Sequence, residues 1–127
     1  MNTNCKIAIA LVAGAAIGGA AIQGLHAQAK LPAYVVAEID VSNQDAYVKE
    51  YAPLAQKAIL AGGAKYLARG GKATSIEGEP PKRIVVIAFE NIDKAQATFT
   101  SAAYKEARTI GNKYAKFRII AVEGLSQ

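Results

Sequence analysis

The chain has 127 residues and a formal net charge of +5 at pH 7, from 15 lysines and arginines against 10 acidic residues. This length predicts one domain. The basic residues are scattered, which gives no support to nucleic-acid binding, and one cysteine with one histidine exclude a zinc site that needs several ligands of those types.

The first 29 residues have the pattern of a secretory signal peptide. A short polar start with Lys6 precedes the uncharged apolar run 7–22, and Ala27-Gln28-Ala29 is a small-x-small cleavage site. The run is shorter than the roughly 18–20 residues that a spanning helix needs. We therefore expect cleavage before Lys30 and a periplasmic or secreted bacterial protein without stable membrane association; the alternative is a retained membrane anchor.

The predicted mature chain, residues 30–127, lacks several chemically important residue types. Cys5 and His26 leave with the signal, so no thiolate nucleophile, Cys/His metal site or histidine base is expected, and no metal or cofactor is predicted. Without Lys6, 14 basic residues face 10 acidic ones, a net charge of +4. A net positive charge of this size predicts a slight preference of the protein surface for anionic partners.

The first strand and the first helix follow directly. Residues 33–41 (AYVVAEIDV) alternate and are rich in β-branched side chains, which predicts a strand. Ser42, three residues before Asp45, resembles a capping box for a helix over 46–61. The helical spacing places four apolar residues inward: Val48, Ala52, Ala55 and Ile59. Pro53 predicts a kink or a break, because its ring nitrogen cannot donate to the carbonyl of Lys49.

The rest of the chain reads as two more strands, a helical region and a last strand. Residues 64–68 form a strand that could continue beyond Gly70-Gly71 into 73–76, followed by a Pro-Pro turn and the apolar strand 82–89. A helical region over 93–113 begins at Asn91 or Asp93, with Ser101 as a second cap. Its inward residues are predicted to be Ala95, Phe99, Ala103, Ala107 and Ile110. Strand 117–122 ends before Gly124.

The order β-α-β-β-α-β predicts an α+β, ferredoxin-like fold. Its four-stranded antiparallel sheet carries both helices on one face. The strand period places Val85, Ile87 and Phe89 on one face and Ile84, Val86 and Ala88 on the other, so both faces are apolar. A second copy of the sheet is the simplest cover for the face without helices, which predicts a homodimer.

Six segments together resemble the DUF1330 family of the dimeric α/β barrel superfamily: AYVVAEIDV, DAYVKEY, GGAKYLARGGK, EGEPPKRIVVIAFEN, SAAYKEAR and FRIIAVEG. They cover essentially all of residues 30–127. The resemblance implies the ferredoxin-like domain and the dimer but no single reaction, because the superfamily includes cofactor-free oxygenases, lactone isomerases and haem-handling enzymes. The chain departs from the family at Phe99, where a tryptophan is usual.

Two arginines and a glycine are the first candidates for a binding site. Arg69, beside Gly70, could clamp a carboxylate or phosphate at a cleft, with the glycine allowing close approach of the ligand; the alternative is an ion pair with Glu77. Arg83 is a further candidate, and its alternative is a solvated or paired surface arginine.

A carboxylate and three tyrosines complete the candidates. Glu38 is expected on the dimer side of the sheet and could act as a general base, or it could pair with Arg83 or Arg118. Three tyrosines could line an aromatic pocket or belong to the core: Tyr34, Tyr66 and Tyr104.

These candidates support three hypotheses for the function. The first is a homodimer that binds a small, anionic or aromatic molecule in a cavity between the two sheets, with Arg69 and Glu38 at the polar end. The second is a cofactor-independent enzyme of the monooxygenase or isomerase kind, with Glu38 or a tyrosine transferring a proton. The third is a structural dimer without a ligand.

Overall fold

The computed structural model describes residues 30–126. The predicted signal peptide, residues 1–29, lies outside this part of the chain, so cleavage and export stay predictions. The elements in chain order are β1 (Ala33–Val41), α1 (Gln44–Ala46), a π-helical turn (Tyr47–Tyr51), α2 (Ala52–Ala61), β2 (Lys65–Arg69), β3 (Arg83–Phe89), α3 (Ile92–Phe99), α4 (Ala102–Gly111) and β4 (Ala115–Glu123). Within residues 30–126, no helix has the length and apolar character that a membrane span needs.

The four strands form one antiparallel sheet in the order β2-β3-β1-β4. This arrangement confirms the predicted ferredoxin-like α+β fold. In β1, Val35 pairs with Ile87 of β3 and with Ala121 of β4, so one row of side chains crosses the sheet. β1 and β3 are the two central strands, and each is hydrogen-bonded to a neighbour along both edges.

The helices pack on one face of the sheet and enclose the core. Every second residue of β1 from Ala33 to Ile39 is buried, as are Val85, Ile87 and Phe89 of β3. The intervening residues form the opposite face, which none of the described helices covers. We call it the open face; it carries Tyr34, Val36, Glu38, Ile84, Val86, Ala88, Arg118, Ile120 and Val122.

Pro53 acts on the first helical region by changing its hydrogen bonding. The amide of Ala52 donates to the carbonyl of Tyr47, five residues back, and Pro53, without an amide, lies in the first turn of α2. Where a kink or a break was predicted, the helical region is continuous and contains a π-helical turn. Tyr47 and Tyr51 of this turn are buried, whereas Val48, which contributes to the lining of a cavity, is 48% exposed. The prediction that Val48 belongs to the buried face was wrong.

The helix caps agree with the sequence at two of three positions. Asn91 caps α3 by accepting from the amide of Lys94 at 2.9 Å, and Ser101 caps α4. The predicted Ser42 capping box was wrong. Asn43 accepts from the amide of Ala46 instead, while the hydroxyl of Ser42 donates to the carbonyl of Tyr114.

Two further local predictions were wrong. β2 does not continue into 73–76, because Gly70 adopts a left-handed conformation with φ +68° and the chain leaves the sheet there. β2 contains a bulge between Tyr66 and Ala68. In α4, Tyr104 takes the inward position that was assigned to Ala103, which is exposed.

Candidate functional site

A cavity of about 340 Å³ lies between the sheet and the helices. We call it the helix-side cavity. Its floor comes from the buried face of β1, β3 and β4, one side from β2, and its roof from the π turn, α2, α3 and α4. The lining residues are Ala37, Ile39, Tyr47, Val48, Tyr51, Ala52, Pro53, Ala55, Gln56, Ile59, Tyr66, Arg69, Arg83, Val85, Ile87, Phe99, Tyr104, Phe117 and Ile119.

Small residues at facing positions leave room for the cavity. Ala37 lies at the centre of the floor, between Val85 of β3 and Ile119 of β4. Ala52 and Ala55 line the roof above it. Because larger side chains surround these alanines, the space is enclosed by apolar and aromatic groups, as in small-molecule sites generally.

Arg83 introduces a positive charge into this apolar surrounding. Its guanidinium lies over the ring of Tyr47, 5.3 Å from the centroid, and against the backbone of Gly70. Its Nε is buried and has no hydrogen-bond partner among the described residues, and no acidic side chain lines the cavity. A partly buried guanidinium without a counter-charge is unfavourable, which makes this position attractive to an anion.

Arg69 provides a second positive charge at the cavity wall. It pairs with Val85 across the sheet, which directs its side chain to the helix side, and its guanidinium lies 5.0 Å from the ring centroid of Tyr66. Arg69 is exposed, so it marks the side where the cavity meets solvent. The predicted pair with Glu77 is absent among residues 30–126.

Two further tyrosines form a hydroxyl pair at the cavity wall. Tyr51 comes from the π turn and Tyr104 from α4, and their Oη atoms are 3.3 Å apart. Burial raises the pKa of Tyr51 far above its usual value, and the neighbouring Tyr104 adds to this. Burial also raises the pKa of Tyr47 and Tyr66, which the charges of Arg83 and Arg69 offset only in part. These three phenols therefore keep their protons at neutral pH and can donate hydrogen bonds.

The structure brings five of the seven predicted site residues together. Tyr66, Arg69, Arg83 and Tyr104 line the helix-side cavity, and Gly70 lies under the Arg83 guanidinium.

Glu38 and Tyr34 lie elsewhere. Both belong to the open face, because side chains of β1 alternate and Ala37 faces the helices. Glu38 lies on the side of the sheet where it was expected, but Arg69 lies on the helix side, so the prediction that the two share the polar end of one cavity was wrong. Glu38 instead lies 3.9 Å from Arg118, the alternative pairing that the sequence left open.

Sequence reasoning missed Tyr47 and Tyr51 as site residues. Both are buried and line the cavity, beside the Val48 and Ala52 that the sequence favoured. The signal that could have found them is their own helical spacing, because Tyr47, Tyr51, Ala55 and Ile59 recur every four residues.

The helix-side cavity contains binding groups rather than metal ligands. Its polar atoms belong to four tyrosines, two arginines and Gln56. No cluster of His, Cys, Asp or Glu that could hold a metal ion occurs in residues 30–126. Chemically, the arrangement can neutralise an anion and donate hydrogen bonds to it.

Comparisons with known proteins agree with this fold. The family model described as "Domain of unknown function (DUF1330)" matches residues 32–125. No curated protein matches the sequence of this chain.

Two solved structures, both of RPA0582, are similar in fold, and a third structure matches more weakly. The methylated RPA0582 protein is 13% identical, with a TM-score of 0.63 and coverage of 84% of this chain and 90% of that one. A second structure of RPA0582, a protein of unknown function from Rhodopseudomonas palustris, is also 13% identical. Its TM-score is 0.54, and the match covers 84% of this chain and 93% of that one. A proposed antibiotic biosynthesis monooxygenase from Nitrosomonas europaea is 12% identical, with a TM-score of 0.47 and coverage of 77% and 93%. At these identities the likeness concerns the fold alone.

Proposed function

The chain belongs to the DUF1330 family, and from this premise we propose that it is a homodimeric protein that binds a small, largely apolar organic anion in the helix-side cavity. The observation that carries the proposal is the guanidinium of Arg83. It is partly buried in a cavity without acidic side chains, and its Nε has no partner among the described residues.

Charge and polarity together define the ligand class. An inorganic anion would leave most of the apolar wall unfilled, and a neutral hydrocarbon would leave the guanidinium uncompensated. A carboxylate on an apolar or aromatic frame satisfies both. The cavity volume of about 340 Å³ is at the lower end of the range for ligand sites, which favours a molecule about the size of a substituted single ring.

The binding proposal is preferred to the enzymatic hypothesis because of where the bases are. Glu38 is on the open face and pairs with Arg118, outside the helix-side cavity. Burial raises the pKa of the cavity tyrosines, so they keep their protons at neutral pH: they can donate hydrogen bonds, but they are poorly suited to remove a proton or to release their own.

The homodimer is proposed from the open face. Val36 lies between Val86 and Ile120 in a row across three strands, and Ile120 and Val122 are 42% and 52% exposed. An apolar patch of several hundred Å² is more than most soluble monomers leave in water. A two-fold partner presents the same patch and covers it with no further component.

The binding proposal is tested with benzoate as the probe. We expect benzoate to bind the purified full chain, measured by calorimetry or by NMR shifts of the cavity residues. Arg83→Gln should weaken binding about tenfold or more, because a hydrogen-bonded charge contributes about 1.5–3 kcal/mol. The matched control is Arg118→Gln, on the open face, which should leave the affinity unchanged. Benzoate that fails to bind, or that binds equally well to Arg83→Gln, would contradict the proposal.

A further inference from the structure

The Tyr51–Tyr104 hydroxyl pair is a second polar feature of the helix-side cavity, separate from the arginines. Both residues are almost fully buried, at 4% and 3% exposure, and both line the cavity. Their Oη atoms are 3.3 Å apart, longer than the usual 2.7–2.8 Å of a hydrogen bond between two hydroxyls. The pair is therefore loosely joined.

Counting protons shows that the pair is incompletely satisfied. Two hydroxyls have two protons, and whichever residue donates in the mutual bond, the proton of the other has no acceptor among residues 30–126. Leaving a buried donor unpaired costs about 1–3 kcal/mol. An oxygen atom of a bound molecule could accept this proton.

The hydroxyl pair and Arg83 are connected through Tyr47. The Arg83 guanidinium lies 5.3 Å from the ring centroid of Tyr47, and that centroid lies 5.1 Å from the ring centroid of Tyr51. All of these side chains line the same cavity. A ligand whose anionic group meets Arg83 can therefore present another part of its frame to the hydroxyl pair.

We propose that the cavity selects organic acids that carry a second oxygen, a hydroxyl or a carbonyl group, on the apolar frame. The carboxylate binds at Arg83, and the second oxygen accepts a hydrogen bond from the Tyr51–Tyr104 pair. This inference rests on the proposed function and narrows it from apolar anions in general to hydroxy- and oxo-substituted cyclic acids.

The test compares benzoate with its three monohydroxylated isomers, 2-, 3- and 4-hydroxybenzoate, on the unsubstituted protein. We expect at least one isomer to bind about tenfold more tightly than benzoate, which corresponds to one additional hydrogen bond of about 1.4 kcal/mol. Because this comparison needs no variant, it does not depend on how well a variant folds. Equal affinities for benzoate and all three isomers would overturn the inference.

Variants then assign the preference to the hydroxyl pair. The double variant Tyr51→Phe/Tyr104→Phe should bring the ratio of the affinities for the hydroxylated isomer and for benzoate to about one, whereas each single variant keeps one hydroxyl that can still donate and should keep a preference. Tyr34→Phe, on the open face, is the matched control and should keep the preference. A preference that survives in the double variant Tyr51→Phe/Tyr104→Phe would overturn the inference.

The two proposals fail in different ways. Benzoate binding that depends on Arg83 but is not improved by any hydroxyl group would refute the hydroxyl-pair inference and leave the proposed function standing. Absence of benzoate and hydroxybenzoate binding would refute both.

Discussion

Gly70 and Arg83 flank the loop between β2 and β3 and are in direct contact. Gly70 has a φ of +68°, a conformation that residues other than glycine adopt at a cost of about 1–2 kcal/mol. A Cβ atom at this position would lie 2.1 Å from Nη1 of Arg83. The glycine thus serves a second purpose besides the turn, because it holds open the space that the guanidinium occupies.

We predict that Gly70→Ala destabilises the fold and also weakens the binding of benzoate, because the new methyl group displaces the guanidinium. Gly78→Ala is the matched control in the same loop. Gly78 has a φ of +89°, but a Cβ atom added there would meet no other part of the described chain within 4 Å, so its replacement should cost stability alone. Urea unfolding and benzoate titration of both variants make the comparison. Unchanged benzoate affinity in Gly70→Ala would show that Arg83 is not positioned by this contact.

Tyr51 links the site to the stability of the fold at high pH. Burial raises its pKa in the folded state above the value of about 10 in the unfolded chain. Its contribution to stability is therefore complete below pH 10 and is lost as the pH rises further, because the unfolded chain releases the proton first.

The expected effect is a fall in the free energy of unfolding above pH 10, by about 1.4 kcal/mol per pH unit for each tyrosine that stays protonated in the folded state. Tyr51→Phe should reduce this slope by the share of one tyrosine. Urea unfolding at several values between about pH 8 and 11 measures it. An identical slope in the variant would mean that Tyr51 ionises as easily in the folded protein as in the unfolded chain.

At the scale of elements, the π turn supplies two of the four tyrosines of the cavity. Tyr47 and Tyr51 are its first and last residues, and both are buried. Tyr51 lies beside Tyr104 of α4, with 3.3 Å between the two Oη atoms. The π turn and α4 therefore meet at the cavity wall.

The start of α3 depends on a single side-chain cap. The Oδ1 of Asn91 accepts from the amide of Lys94 at 2.9 Å, and the Lys94 ammonium also contacts the carboxylate of Glu90. We predict that Asn91→Ala lowers the free energy of unfolding by about 1 kcal/mol, because the amide loses its acceptor. Asn91→Asp keeps an acceptor and should restore most of it. Chemical denaturation of the two variants decides the matter; equal stability of Asn91→Ala and the parent chain would contradict the cap.

For the whole molecule, the open face is the feature with the largest consequence. We predict that the parent chain sediments as a dimer at micromolar concentration and that Val36→Lys dissociates it, because a charge would be buried in the centre of the row with Val86 and Ile120. Thr109→Lys, on the exposed surface of α4, adds the same charge elsewhere and should leave the dimer intact. A monomeric parent chain would refute the homodimer.

The sequence alone determined the strands, their order and the two-sided apolar character of the sheet. These features are local: the alternation in Ala33–Val41 and the β-branched run in Arg83–Phe89 specify a strand whatever the surroundings are. The sequence also singled out Arg69, Arg83, Tyr66 and Tyr104, because charged and aromatic residues near turns are common at sites.

Only the tertiary structure decided on which side of the sheet Arg69 lies and which candidates meet. The strand period already placed Glu38 on the face without helices, but the bulge between Tyr66 and Ala68 turns Arg69 to the helix side, so the two do not share a cavity. The contact between Tyr51 and Tyr104 joins residues that are 53 positions apart in the sequence. Strand register and such contacts are set by packing over long distances in the sequence, which a reading of local patterns does not contain.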